Sequence, residues 1–323
     1  MIDIKWPIGL SSDGRIHPRE DVIYMVSYPR CGSTWFRYCF EFITKRASNP
    51  AIDLMWETGA ELPQFLYSSH HFKENPYGLY DYSRHTPRKA PLRHIWLRRD
   101  PIEAITSQVI NSMRTGWRQL GSGTAMEQNL LIYGEIKRET NMTKSSSSLE
   151  ILKFFDTLCR RSEQAADELL LRSHLLRYYN LMICHLALGE PNGLALRYED
   201  LLGDPEKTLL GLINYLVADN SNTFSRETLV QNLDELLENY AFHQNSSMNI
   251  YRSAYHFASS TQKGTSDFHY YSDRLSPEFI ELFKKRDSAY RQKILNSQEP
   301  EAALYIKKSI HKYLDCYERK RSD

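Results

Sequence analysis

Val22-Ile23-Tyr24-Met25-Val26-Ser27-Tyr28-Pro29-Arg30-Cys31-Gly32-Ser33-Thr34-Trp35 is the stretch from which the rest of the chain is best read. Val22 to Ser27 is a short apolar run that ends in turn residues, the pattern of a buried strand. Tyr28 to Ser33 is the turn. From Thr34 to about Arg46 the spacing predicts a helix with Trp35, Tyr38, Cys39 and Phe42 on one face. The chain therefore begins its core with a strand, a tight loop and a helix.

Outward from this unit, strands and helices alternate. Gln64-Phe65-Leu66-Tyr67-Ser68 is a second strand, leading into His70-His71, and Arg93-His94-Ile95-Trp96-Leu97 is a third. A helix is expected from Pro101, because proline suits a first helical turn. Residues 115–148 are rich in Gly, Ser and Thr, end in Ser145-Ser146-Ser147-Ser148, and read as an insertion with a mobile tip. Residues 149–188 look helical, in two pieces. Gly193-Leu194-Ala195-Leu196-Arg197 is a fourth strand, and Asp204-Pro205-Glu206 opens a helix through Leu216 with Asp204 as its N-cap. The polar segment 245–275 is long for a plain loop and is expected to be a lid or binding loop. Alternation of this kind implies an α/β fold: a single domain over 1–323 with a central parallel sheet flanked by helices.

Composition narrows the functional classes. Hydrophobic residues make up 41% and charged residues 25%, as in a soluble globular protein. Lys and Arg number 41 against 40 Asp and Glu, a net +1 that gives no bulk attraction to nucleic acid or to an anionic membrane. No apolar run approaches the roughly 18 residues of a membrane span, and the first residues lack a secretory pattern. Cys31, Cys39, Cys159, Cys184 and Cys316 are scattered, odd in number and never in a CxxC pair. They fit a reducing, cytoplasmic setting and argue against a disulfide framework or a zinc knuckle.

The loop after the first strand has the physics of a phosphate cradle. N–H groups at a helix start carry partial positive charge and bind phosphate oxygens, and the Ser33 and Thr34 hydroxyls add donors. A Walker loop, however, starts with Gly and ends in Gly-Lys-Ser/Thr. Here Ser27 takes the first position, Ser33 stands where the Lys belongs, and the cation of the loop is Arg30. Such a P-loop-like core is poor for an ATP γ-phosphate with Mg²⁺. It suits a 5′-phosphate with a cation over its far end.

A second motif follows the third strand: Arg98-Arg99-Asp100-Pro101, with Ser107 eight residues after Arg99 and about two turns into the next helix. Arg99 and Ser107 are placed to clamp a second phosphate; alternatively, Arg99 pairs with Asp100 or Glu103 and Ser107 faces solvent. With both motifs in view, the chain resembles the PAPS-dependent sulfotransferases. These move a sulfuryl group from 3′-phosphoadenosine 5′-phosphosulfate to an acceptor and release PAP. Tyr28 through Trp35 is similar to their 5′-phosphosulfate loop, and Arg99 through Ser107 to their 3′-phosphate motif. Leu196-Arg197-Tyr198-Glu199-Asp200 is similar to their Tyr-Glu-Asp segment. Gln262-Lys263-Gly264-Thr265-Ser266-Asp267-Phe268 resembles their C-terminal loop. The four segments stand in family order.

The resemblance implies roles. Arg30 neutralises the leaving phosphate, and the loop residues Cys31, Gly32, Ser33 and Thr34 surround the 5′-phosphate. Trp35 stacks on adenine or is a core aromatic. Tyr198 lines the adenine pocket. Arg99, Ser107, Lys263 and Gly264 hold the 3′-phosphate. The family's base is a His after the strand before the 3′-phosphate motif, which here is His70, or His71 with a one-residue shift. No metal is implied. The acceptor is a small-molecule alcohol or amine, and neither a nucleic acid nor a membrane is an expected partner. There are departures: Arg30 is more often Lys, Cys31 is usually Ser, Gln262 replaces an Arg and Phe268 a Trp. The family's dimerisation motif is absent, so the oligomeric state stays open. A P-loop-type kinase and a non-catalytic PAP-binding module remain as alternatives.

Overall fold

The structure, a computed structural model, describes residues 8–10, 16–18, 23–49, 61–69, 94–115, 124–143, 145–172, 174–175, 178–179, 193–218, 224–245 and 270–295. The α/β expectation holds at that level. Two short strands, β1 (Ile8–Leu10) and β2 (Ile16–Pro18), pair antiparallel. The main sheet contains β3 (Ile23–Ser27), β4 (Arg46–Asn49), β5 (Glu61–Ser69), β6 (His94–Arg98) and β7 (Gly193–Arg197). Its order is β4-β5-β3-β6-β7, and every neighbouring pair is parallel.

The chain divides into two compact units. The first contains the main sheet with α1 (Ser33–Thr44), α6 (Tyr198–Gly203), α7 (Pro205–Val217) and α8 (Arg226–Glu238). The second contains α2 (Pro101–Thr115), α3 (Thr124–Glu139), α4 (Ser148–Arg161), α5 (Glu163–Ala166), a π-helical segment Asp167–Leu171, and α9 (Pro277–Leu295).

The central strands are apolar because both faces of a parallel sheet are covered. Ile23 and Met25 in β3, and His94, Ile95, Trp96 and Leu97 in β6, are all buried. β7 is an edge strand, and Ala195 and Arg197 are exposed on it. β5 begins before the expected Gln64, at Glu61, and so includes Pro63. Proline is tolerated there because the β4–β5 pairing is irregular: Arg46 faces Glu61, but Ser48 already faces Leu66.

The helix expected after Gly32 runs from Ser33 to Thr44, and every residue from Trp35 onward is buried. It is buried all round, where the spacing predicted one apolar face. Two of its charges, Arg37 and Glu41, are buried with it. Both use Ser48 of β4: Arg37 Nε donates to Ser48 Oγ (2.8 Å), and the Ser48 N–H (3.0 Å) and hydroxyl both donate to Glu41 Oε1. That pairing explains why the polar stretch Arg46-Ala47-Ser48-Asn49 forms a strand that no hydrophobic pattern announces.

In the second unit, the serine run that ends the expected 115–148 insertion leads into a helix. Ser147 caps α4, accepting from the Glu150 N–H while the Glu150 side chain accepts from the Ser147 N–H. This is a capping box, and its Ser-x-x-Glu pattern is present in the sequence. The Asp204 N-cap of α7 is as expected, accepting from the Lys207 N–H at 3.2 Å with Pro205 in the first position. No helix among the described residues is long and apolar enough to cross a membrane.

Candidate functional site

Because the five main strands are parallel, their carboxyl ends share one edge of the sheet. The chain continues from β3 toward β4 and β5 on one side, while β7, the successor of β6, lies on the other. Open α/β sheets take ligands outside the carboxyl ends of strands whose connections diverge in this way. The residues that follow β3, β6 and β7 there are 28–32, Arg99 and Tyr198.

The loop after β3 is a tight turn. The Cys31 N–H donates to the Tyr28 carbonyl (3.2 Å), with Pro29 in the second position and Arg30 in the third at φ 71°. A positive φ in that position belongs to a type II turn, where glycine is usual. Arg30 holds it against a steric cost of about 1–3 kcal/mol. Gly32 follows at φ 81° and forms the N-cap of α1 without a capping side chain. The first intrahelical bond runs from the Phe36 N–H to the Gly32 carbonyl. The N–H groups of Ser33, Thr34 and Trp35 therefore have no acceptor within the helix. Ser33 and Thr34 are half-buried, with their hydroxyls in the same turn.

Two side chains that follow β6 and β7 contact this loop. Arg99 Nη1 donates to the Arg30 carbonyl at 3.2 Å. The Arg99 guanidinium also lies 5.3 Å from the centre of the Tyr198 ring, within cation–π range. The Tyr198 ring in turn lies against Gly32: a Cβ there would fall 2.1 Å from Tyr198 Cδ2. Arg30, Gly32, Arg99 and Tyr198 thus close a ring of contacts. Burial raises the Tyr198 hydroxyl above its ordinary range, with the charges of Arg99 and Arg30 pulling it back.

Cys31 is fully buried under the loop. Burial pushes its thiol up to about 12, outweighing the lowering charge of Arg99. It is a neutral, packed thiol at pH 7, not a nucleophile activated by the helix start. Trp35 is also buried; its Nε1 donates to the Tyr240 hydroxyl (3.1 Å), which donates to the Leu201 carbonyl (2.6 Å). Its ring stacks on Tyr38.

The other expected site residues are distributed differently. Ser107 lies in α2 of the second unit and is buried, so it is not the solvent-facing serine of the alternative reading. Asp100 Oδ1 accepts from the Ile102 N–H (3.0 Å), and the Glu103 carboxylate accepts from the backbone of Tyr271 and Ser272. β5 ends at Ser69 on the shared edge. His70 and His71, next in sequence, lie outside the described residues, as do Gln262, Lys263, Gly264 and Phe268. Among the described residues no group of His, Cys, Asp and Glu is arranged to hold a metal.

Two features escaped the sequence. Tyr240 is separated from Trp35 by 205 residues, and nothing near it marks the contact. The Arg99 bond to Arg30 spans 69 residues and joins two motifs that looked independent. No protein-family model matches the chain, and no curated protein or solved structure matches it either.

Proposed function

We propose that the chain is a PAPS-dependent sulfotransferase whose donor phosphates sit at the start of α1. The observation that carries this reading is the meeting of three separate segments, 28–35, Arg99 and Tyr198, at the divergent strand ends β3, β6 and β7. The resemblance gives each of them to the donor nucleotide. The N–H groups of α1 that have no acceptor within the helix suit an anion. Retention of Arg30 in a conformation that favours glycine also supports a use for its charge.

In this reading the acceptor oxygen or nitrogen attacks the sulfuryl sulfur in line, and the bond from sulfur to the bridging phosphate oxygen breaks. The acceptor proton passes to the imidazole of His70, and PAP leaves with the new negative charge on its 5′-phosphate. Arg30 and the α1 N–H groups stabilise that charge as it forms. Tyr198 lines the adenine pocket. Ser107, Lys263 and Gly264 join Arg99 at the 3′-phosphate by resemblance alone. The acceptor is a small hydroxyl or amine compound, and the transfer needs no metal.

Incubation with PAPS labelled in its sulfuryl group and a panel of phenols, alcohols and amines tests this. Label is expected in an organic product, with most activity kept in EDTA. Arg30→Gly keeps the backbone and removes the cation, so kcat falls while PAP affinity changes much less. His70→Ala lowers turnover by about 10²–10⁴-fold with PAP affinity near wild type. PAP binding without transfer to any acceptor would instead mark a non-catalytic binding module.

A further inference from the structure

We propose that Arg99 is a positioning residue that holds the loop 28–32 in its anion-accepting shape, rather than a contact for the 3′-phosphate alone. Its guanidinium bonds the Arg30 carbonyl at 3.2 Å and rests on the Tyr198 ring. Its side chain therefore reaches Arg30 directly and, through Tyr198, backs Gly32. The Arg30 carbonyl belongs to a peptide next to a left-handed residue, and such a turn relaxes unless its surroundings hold it. Removing Arg99 takes its bond from that carbonyl and withdraws the support behind Tyr198. The N–H groups of Ser33 and Thr34 then lose their fixed direction, and any phosphate placed on them is held less well.

Cys31 supplies a readout that requires no ligand. The thiol is fully buried beneath the loop. Its alkylation by iodoacetamide at pH 8, followed by peptide mass mapping, reports loop opening. Arg99→Ala is expected to speed labelling of Cys31 by about 10–150-fold, the factor that corresponds to loss of one charge-assisted hydrogen bond. Cys39 and Cys159, buried elsewhere, should keep their wild-type rates. Arg99→Lys keeps a charge and a donor without the planar fork, so it should restore part of the protection. If Arg99→Ala does not fold, Arg99→Lys and Tyr198→Leu give the same readout at smaller amplitude. Unchanged Cys31 protection overturns the proposal. So does a parallel rise at all three thiols, which marks global unfolding.

The consequence for nucleotides rests on the sulfotransferase reading. Arg99→Ala should weaken 5′-AMP as well as PAP, since both place a 5′-phosphate on α1, with the larger loss for PAP, which also loses a contact to its 3′-phosphate. A loss confined to PAP, with Cys31 still protected, puts Arg99 on the 3′-phosphate only and overturns the positioning role. If wild type binds neither nucleotide, the donor assignment falls, while the Cys31 rates still decide the positioning claim.

Discussion

Arg30 and Gly32 both have left-handed backbone angles, at 71° and 81°, and for different reasons. At Arg30 the side chain is kept although the backbone would prefer glycine. At Gly32 no side chain fits, because Tyr198 Cδ2 and Cε2 would lie 2.1 and 2.2 Å from its Cβ. Gly32→Ala therefore meets two penalties: a backbone cost of about 1–2 kcal/mol and displacement of a ring. Only the second depends on Tyr198. In a double-mutant cycle followed by urea denaturation, Gly32→Ala should cost less in a Tyr198→Ala background, with a coupling above about 0.5 kcal/mol. Additive losses would mean that the ring yields freely and does not support the loop. At this scale much was legible. Gly32 was marked by the turn and Arg30 by its charge, but the Arg99 link was not, because a side chain to carbonyl bond across 69 residues leaves no periodic trace.

α1 shows how an element can be read correctly in place and wrongly in environment. Its limits follow from the glycine before it and the left-handed Lys45 after it. The spacing of its aromatics implied one buried face, yet Arg37 and Glu41 are buried too, satisfied by Ser48. Hydrophobic pattern cannot reveal a buried charge whose partner is a strand serine. The same helix also carries a pH-dependent contact. His243 Nδ1 lies 2.9 Å from the Tyr38 hydroxyl, and its ring meets Phe42 edge-on at 4.6 Å. Burial holds its pKa below the ordinary 6.5, with Glu235 opposing and Lys45 reinforcing. The folded chain thus favours neutral imidazole, and the unfolded chain binds more protons between the depressed pKa and 6.5. The contribution to stability is complete above 6.5 and is lost as pH falls through the depressed value. The melting temperature of wild type should therefore drop more steeply than that of His243→Gln between about pH 7 and about pH 5. Parallel profiles would show that His243 titrates alike in both states.

For the whole molecule, alternation of strands and helices was enough to anticipate a parallel sheet, and four of its five strands were located from sequence. The missing strand, β4, has no apolar residue but Ala47. The order β4-β5-β3-β6-β7 was not legible, because pairing partners are set by packing over long separations. Yet that order places β3, β6 and β7 side by side and brings their following residues together. It turns three weak motifs into one arrangement. The polar helices α8 and α9 carried no motif and were not assigned, although Leu229, Leu233 and Leu236 in α8 are spaced for one buried face.

In the sulfotransferase reading, the start of α1 holds the phosphates of an adenosine 3′,5′-bisphosphate and not those of ATP with Mg²⁺. Calorimetric titration of the wild-type chain with PAP, with 5′-AMP and with ATP, each with Mg²⁺ and with EDTA, tests it most directly. One site for PAP is predicted, unaffected by EDTA, with 5′-AMP weaker and ATP weaker than PAP under both conditions. Tight Mg²⁺-dependent binding of ATP with no heat from PAP would point to a P-loop-type kinase in place of a sulfotransferase.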